Sequence, residues 1–161
     1  MKLHIGATGR IRSGPEQDLV QTYLSRAVSA GQGLGFHGPE LHEVDVKQSL
    51  PIAQRQTKEA DLLRKCAPDN AIIVALDRQG HTEDSETFAA RLADWRDSGI
   101  RDLIFMIGGA DGLDAELCAQ ARFVLALGPM TWPHGLVRIM LTEQIYRALT
   151  ILNNHPYHHG H

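Results

Sequence analysis

A chain of 161 residues that is 43% hydrophobic and 22% charged has the make-up of one globular domain with a real core, not of a disordered segment. Its formal net charge of −3 excludes a chain that coats nucleic acid indiscriminately, so any RNA recognition must use a localised surface or a shaped target. No apolar run approaches the roughly 20 residues of a membrane span, and the first residues lack a basic region followed by an apolar one. Cys66 and Cys118 have no paired spacing, so the expectation is a soluble cytoplasmic protein with two buried free thiols.

Residues 2–8 alternate loosely and predict a first strand, closed by Gly9. Pro15 suits the first turn of a helix. Leu19, Val20, Tyr23, Leu24 and Ala27 then recur at three- and four-residue steps, predicting an amphipathic helix over 16–30. Four glycines make 31–38 a flexible loop, and 39–46 reads as a second strand. A polar, helix-favouring segment runs from about Pro51 to Lys65. Residues 71–76 (Ala-Ile-Ile-Val-Ala-Leu) form a continuous β-branched apolar run, as in a strand buried on both faces of a parallel sheet. Asp77 is expected to end that strand, with Arg78-Gln79-Gly80 turning away.

A helix is predicted over 85–98, with Phe88, Leu92 and Trp95 on one face and Gly99 just past its end. A buried strand over 103–107 closes on Gly108-Gly109, a helix spans Asp111 to Gln120, and a last strand covers 123–127. The longest apolar-periodic helix runs from His134 to about Leu152. Strand alternating with helix predicts an α/β domain with a mostly parallel sheet, helices on both faces and no internal boundary over 1–161. Ligands in such folds bind beyond the carboxyl ends of the strands, which singles out Leu76-Asp77, Ile107-Gly108-Gly109 and Leu127-Gly128.

Three groups of residues carry possible chemistry. Residues 108–112 (Gly-Gly-Ala-Asp-Gly) follow a buried strand and precede a helix. They read equally as a tight turn or as a cradle for a ligand, and they fit neither a dinucleotide nor a triphosphate motif. The stretch Leu127–Arg138 is a stiff corner: Pro129 and Pro133 remove two donors, leaving the other N–H groups for a ligand. The alternative is a rigid turn with Trp132 plugging the core and His134 capping the helix. The histidines of the tail, His155, His158, His159 and His161, lack the partners of a zinc site, so no metal site is read there. His155, Tyr157 and His158 beside Arg147 suit base stacking and phosphate contact instead. The last helix is apolar over more than one face, which predicts a symmetric dimer packed through it, or a neighbouring element covering it.

Residues 107–112, Met130-Thr-Trp-Pro-His134 with Arg138, Glu143-Gln-Ile-Tyr-Arg147 and His155-Pro-Tyr-His158, in that order, resemble the ribosomal large subunit methyltransferase H family, of the SPOUT class of S-adenosylmethionine enzymes. The resemblance covers Met1 to about His158. It implies a C-terminal trefoil knot where the chain from Leu127 threads under the segment near Leu76, and it implies a homodimer. The implied reaction is methylation of N3 of pseudouridine 1915 in helix 69 of 23S rRNA within assembled ribosomes. By matched position, S-adenosyl-L-methionine would touch Leu76, Gly108 and the run Leu127, Gly128, Pro129, Met130, Thr131, Trp132. Gly128 stands where the family commonly has serine. Candidate catalytic residues are Arg138 for charge stabilisation, His134, Tyr157 and His158. Candidate substrate-binding residues are Arg147, His155, Tyr157 and His158. The alternatives are another SPOUT enzyme acting on tRNA and a non-enzymatic ribosome- or nucleotide-binding module.

Overall fold

The computed structural model describes residues 1–46 and 49–159, the side chains of His158 and His159 excepted. Its elements are β1 (Lys2–Thr8), α1 (Pro15–Gly31), β2 (His37–Val44), α2 (Ile52–Cys66), β3 (Ile72–His81), α3 (Ser85–Asp97), β4 (Asp102–Ile107), α4 (Ala115–Gln120), β5 (Phe123–Leu125) and α5 (His134–Leu152), followed by a short 3-10 turn, Pro156–His159. The strands form one sheet in the order β2-β1-β4-β3-β5, and every pairing is parallel.

The continuous apolar strands are explained by two cores. Along β4, Leu103, Phe105 and Ile107 join a cluster with Val20 and Leu24 of α1, Phe88 and Leu92 of α3, and Leu141, Ile145 and Leu149 of α5. The alternate residues, Ile104 and Met106, face a smaller cluster with Ala60 and Leu63 of α2 and with Leu113 and Leu117. Side chains alternate across a strand, so a strand covered on both sides has no polar face to show. Each leucine fully buried this way contributes roughly 1.5–3 kcal/mol.

Several boundaries differ from expectation. The helix predicted from Asp111 starts only at Ala115, because Gly112 takes a φ of 80° and the Asp114 carboxylate caps the N–H groups of Glu116 and Leu117. β3 does not end at Asp77; it bends and continues to His81, where the His81 carbonyl accepts from Ala126. The helix α1 absorbs Gly31 and β2 starts at His37, so the glycine-rich loop is shorter than 31–38. β2 ends at Val44 and β5 at Leu125, each two residues before the predicted limit. Cys66 and Cys118 are free and only partly buried. Among the described residues no helix is long and apolar enough to cross a membrane.

Candidate functional site

The bend of β3 and the carboxyl ends of β4 and β5 open into one cavity of about 740 Å³. The three strand ends singled out in the sequence meet there: Leu76 and Asp77 from β3, Ile107 to Gly112 after β4, and Leu127 with Gly128 after β5. Met130, Thr131, Trp132, Pro133, His134 and Val137 complete the wall. Pro129 belongs to the same loop without lining the cavity. Trp132 does not plug the core. It is 38% exposed, and its indole N–H donates to the Leu127 carbonyl at 3.2 Å, closing the corner into a loop.

The glycine turn is held from the far side of the sheet. A Cβ on Gly108 would stand 2.5 Å from the carbonyl carbon of Gly112 and 2.7 Å from the Leu113 nitrogen, so only glycine fits under that loop. The polar segment that predicted α2 supplies the anchor. Arg55 pairs with the Asp111 carboxylate, Gln56 Nε2 donates to the Asp111 carbonyl at 2.8 Å, and Glu59 accepts from the Gly109 N–H. Residues 55, 56 and 59 share one side of the helix, and the sequence reading missed all three. Their signal was present only as polar residues at helical spacing, and the partner loop lies fifty or more residues away.

Glu59 is 5% exposed, and burial pushes its carboxyl above the ordinary glutamate range, opposed by Arg55 and by the Gly109 N–H. A raised folded-state value favours the native state below the ordinary range and loses that contribution as pH rises through the raised value. Glu59→Gln keeps the acceptor and removes the charge. The variant is therefore expected to match the wild type in urea midpoint near roughly pH 4 and to gain on it towards neutrality. A difference between the two that does not change with pH contradicts this account.

Arg138 lies outside the cavity wall. It is fully buried, with Nη1 donating to Glu43 at 2.6 Å and Nη2 to the Thr8 and Gly9 carbonyls at 3.0 Å each. Burial pulls its pKa below the usual arginine range and Glu43 opposes the shift. His134, one turn earlier, is exposed and lines the cavity.

The tail residues gather elsewhere, at the other end of α5. Glu143 Oε1 accepts from Arg147 at 2.6 Å and from the Tyr157 hydroxyl at 3.1 Å. The Arg147 guanidinium stands 4.9 Å from the Tyr157 ring centre, and Tyr146 packs against the same ring at 4.6 Å. Burial, with Tyr23 and Glu143 beside it, raises the Tyr157 pKa, so the phenol stays protonated and donates. His155 Nδ1 accepts from the Tyr157 N–H at 3.2 Å. The candidate role of the His158 side chain falls outside the described residues. From His134 to Leu152 the helix rises about 27 Å, at 1.5 Å per residue. Within one chain, then, the cofactor candidates converge and the substrate candidates form a second group well away from them.

The family model described as a predicted SPOUT methyltransferase matches residues 1–158. The protein named ribosomal RNA large subunit methyltransferase H from Nitrobacter winogradskyi is 48% identical over 99% of this chain and 100% of its own length. Those of the same name from Allorhizobium ampelinum and Roseobacter denitrificans are 48% and 49% identical, each over 98% of this chain and 99% of their own. With the matching motifs spread from the glycine turn to the tail, and likeness along the whole length, this chain belongs to the ribosomal RNA large subunit methyltransferase H family of SPOUT methyltransferases.

Proposed function

We propose that the protein methylates N3 of a pseudouridine in helix 69 of 23S rRNA, in assembled ribosomes, using S-adenosyl-L-methionine. The observation that carries this reading is the convergence of the β3 bend and the ends of β4 and β5 on one cavity walled by the proline-stiffened loop. The relatives' name supplies the class of substrate.

The cavity suits the cofactor. Its volume falls in the range for small-molecule sites. Leu76, Ile107, Leu125 and Leu127 give apolar walls for an adenine, while the backbone of 107–112 and 127–132 offers edges for hydrogen bonding. Gly112 and Gly128 have φ of 80° and 101°, and a Cβ there would meet nothing within 4 Å, so both leave open space. Asp77 and Arg78 at the rim suit the amino and carboxylate groups of a methionine moiety. When bound, the cofactor supplies a methyl group already activated on sulfur.

The protein's task is then alignment and proton handling. The N3–H bond breaks as the N3–methyl bond forms, and the proton needs an acceptor. His134 is the reading we favour, since it is exposed on the cavity wall and histidine is suited to that role near neutral pH. Tyr157, held protonated, serves as a hydrogen-bond donor or stacking surface for the nucleotide, and Arg147 meets phosphate. Arg138 orients the start of α5 through β1 and β2; its Glu43 pairing and burial speak against direct contact with the nucleotide.

The two groups come together in a homodimer, with the tail of one subunit covering the cavity of its partner. The partly exposed Leu136, Ile139 and Met140 of α5 support that interface. A trefoil knot is part of the same reading. Its support is the continuation of β3 to His81, with Gly80 so close to β5 that a Cβ would stand 2.5 Å from the Val124 carbonyl oxygen.

Two measurements test this. Labelled cofactor offered with undermethylated ribosomes, free rRNA and tRNA should mark the ribosomes, and label on tRNA alone overturns the substrate. Mixed dimers should also be formed from a Gly108→Val subunit and an Arg147→Ala subunit, each inactive by itself. They should regain one working site if the tail serves the partner. They should stay inactive if it serves its own chain.

A further inference from the structure

Towards the β2 edge of the sheet four side chains meet that the methyl transfer does not use. His4 of β1, Glu40 and His42 of β2, and Asp102 of β4 all lie on the face covered by α2 and α4. Residues 40 and 42 share that face by the two-residue period of a strand. The parallel register sets His4 opposite Glu40 and Gly6 opposite His42, so His4 projects between the two β2 side chains. One ligand atom from each of His4, Glu40 and His42 falls within 4.8 Å of the others.

The two imidazoles are already oriented. His4 is 3% exposed, and its Nε2 lies 3.1 Å from Asp102 Oδ1. With the Nε2 hydrogen given to the carboxylate, the bare lone pair sits on Nδ1. That lone pair faces His42 Nε2 at 3.4 Å, the ring planes inclined by 26°. The separation is longer than the usual range for a nitrogen hydrogen bond. It equals the spacing of two nitrogens on a tetrahedral ion, roughly 3.3–3.4 Å when each bond is about 2.0–2.1 Å. Glu40 Oε2 stands 3.9 Å from His4 Nδ1, and Glu40 is exposed, so a movement of about half an ångström completes a third ligand. Its other oxygen is held by Lys2 at 2.9 Å, which places the carboxylate at the site without closing it.

We propose that His4, His42 and Glu40 bind one zinc(II) ion, with water as the fourth ligand and Asp102 as the carboxylate that fixes the His4 ring. Two imidazoles and one carboxylate are a donor set suited to zinc, and a carboxylate behind a ligating histidine is a recurrent support for such ions. The ion joins β1 to the edge strand β2 and, through Asp102, to β4. Its role is that of a staple at the β2 edge of the sheet, outside the wall of the cofactor cavity.

The test uses the full chain, stripped of metal. Zinc chloride should raise the thermal midpoint. Cobalt(II), the spectroscopic substitute, should give the visible absorption of a four-coordinate site. His42→Gln should lose the absorption, Glu40→Gln should weaken zinc binding in calorimetry, and Asp102→Asn should weaken it by roughly tenfold to a hundredfold. The tail histidines are the competing ligands. A chain with His155, His158, His159 and His161 all changed to Asn should keep both the absorption and the affinity. Loss of binding in that tail variant overturns the proposal, and so does unchanged affinity in His42→Gln. Should His42→Gln fold poorly, Glu40→Gln decides the matter, since its exposed carboxylate contributes little to folding; wild-type affinity there overturns the site.

Discussion

Gly108→Val is expected to abolish S-adenosylmethionine binding while the chain remains folded, and Gly108→Ala to weaken binding by about tenfold to a hundredfold. Even one methyl group would press on Gly112 and Leu113 backbone atoms at 2.5–2.7 Å, a distance side chains do not tolerate. The loop cannot swing aside freely, because Gly112 bonds back to Gly109 at 3.1 Å and α2 grips Asp111 and Gly109. The strain of overpacking, about 1–3 kcal/mol for a methylene-sized change, is relieved only by lifting residues 109–112 into the cavity. Calorimetry with the cofactor and urea unfolding, run on both variants, separate binding from stability. Near-normal affinity in Gly108→Val would show that the glycine turn has no part in holding the cofactor.

Arg138→Met is expected to cost about 3–5 kcal/mol of stability, the range for breaking a buried ion pair from one side. The change strips Glu43 of its cation and takes a donor from each of the Thr8 and Gly9 carbonyls. Against a domain stability of roughly 5–15 kcal/mol this is a large share, visible as a much lower urea midpoint. Adding Glu43→Gln to the same chain should recover part of the loss, because the uncompensated carboxylate is then gone. Arg138→Lys should not restore the wild type, since one ammonium cannot reach a carboxylate and two carbonyls in the planar fork that arginine uses. If Arg138→Met unfolds like the wild type yet transfers no methyl group, the residue acts on the nucleotide and the positioning account fails.

The strand and helix types were legible because each rests on local periodicity or on an unbroken apolar run. The cavity shared by the three segments singled out in the sequence was legible for a similar reason, since a parallel α/β sheet opens its crevice beyond the carboxyl ends of its strands. What the sequence concealed was pairing over distance. Arg138 reads as a charged residue beside a polar loop, and nothing local tells that Glu43, 95 positions earlier, will meet it inside the protein. Glu59 looks like one more solvated residue of a polar helix until the glycine turn is seen resting on it. His4, Glu40 and His42 carry no recognisable spacing because a strand register, not a motif, brings them together. The misplaced start of α4 was a different error: Gly112 and the Asp114 cap were legible signals, outweighed by the apolar pattern of Leu113 and Leu117.

The helix α5 carries cavity residues at its first turn and the Arg147–Tyr157 cluster near its last, with its middle packed into the core. It therefore sets both a length and a phase. One residue inserted between Leu141 and Ile145 would advance everything beyond it by about 1.5 Å and rotate it by about 100°. The Arg147–Tyr157 cluster would then swing away from Tyr23 of α1, and Leu149 would turn out of the core. Drift in this stretch can change side chains but not their number, so the spacing from His134 to Arg147 is fixed by the geometry of a single rod.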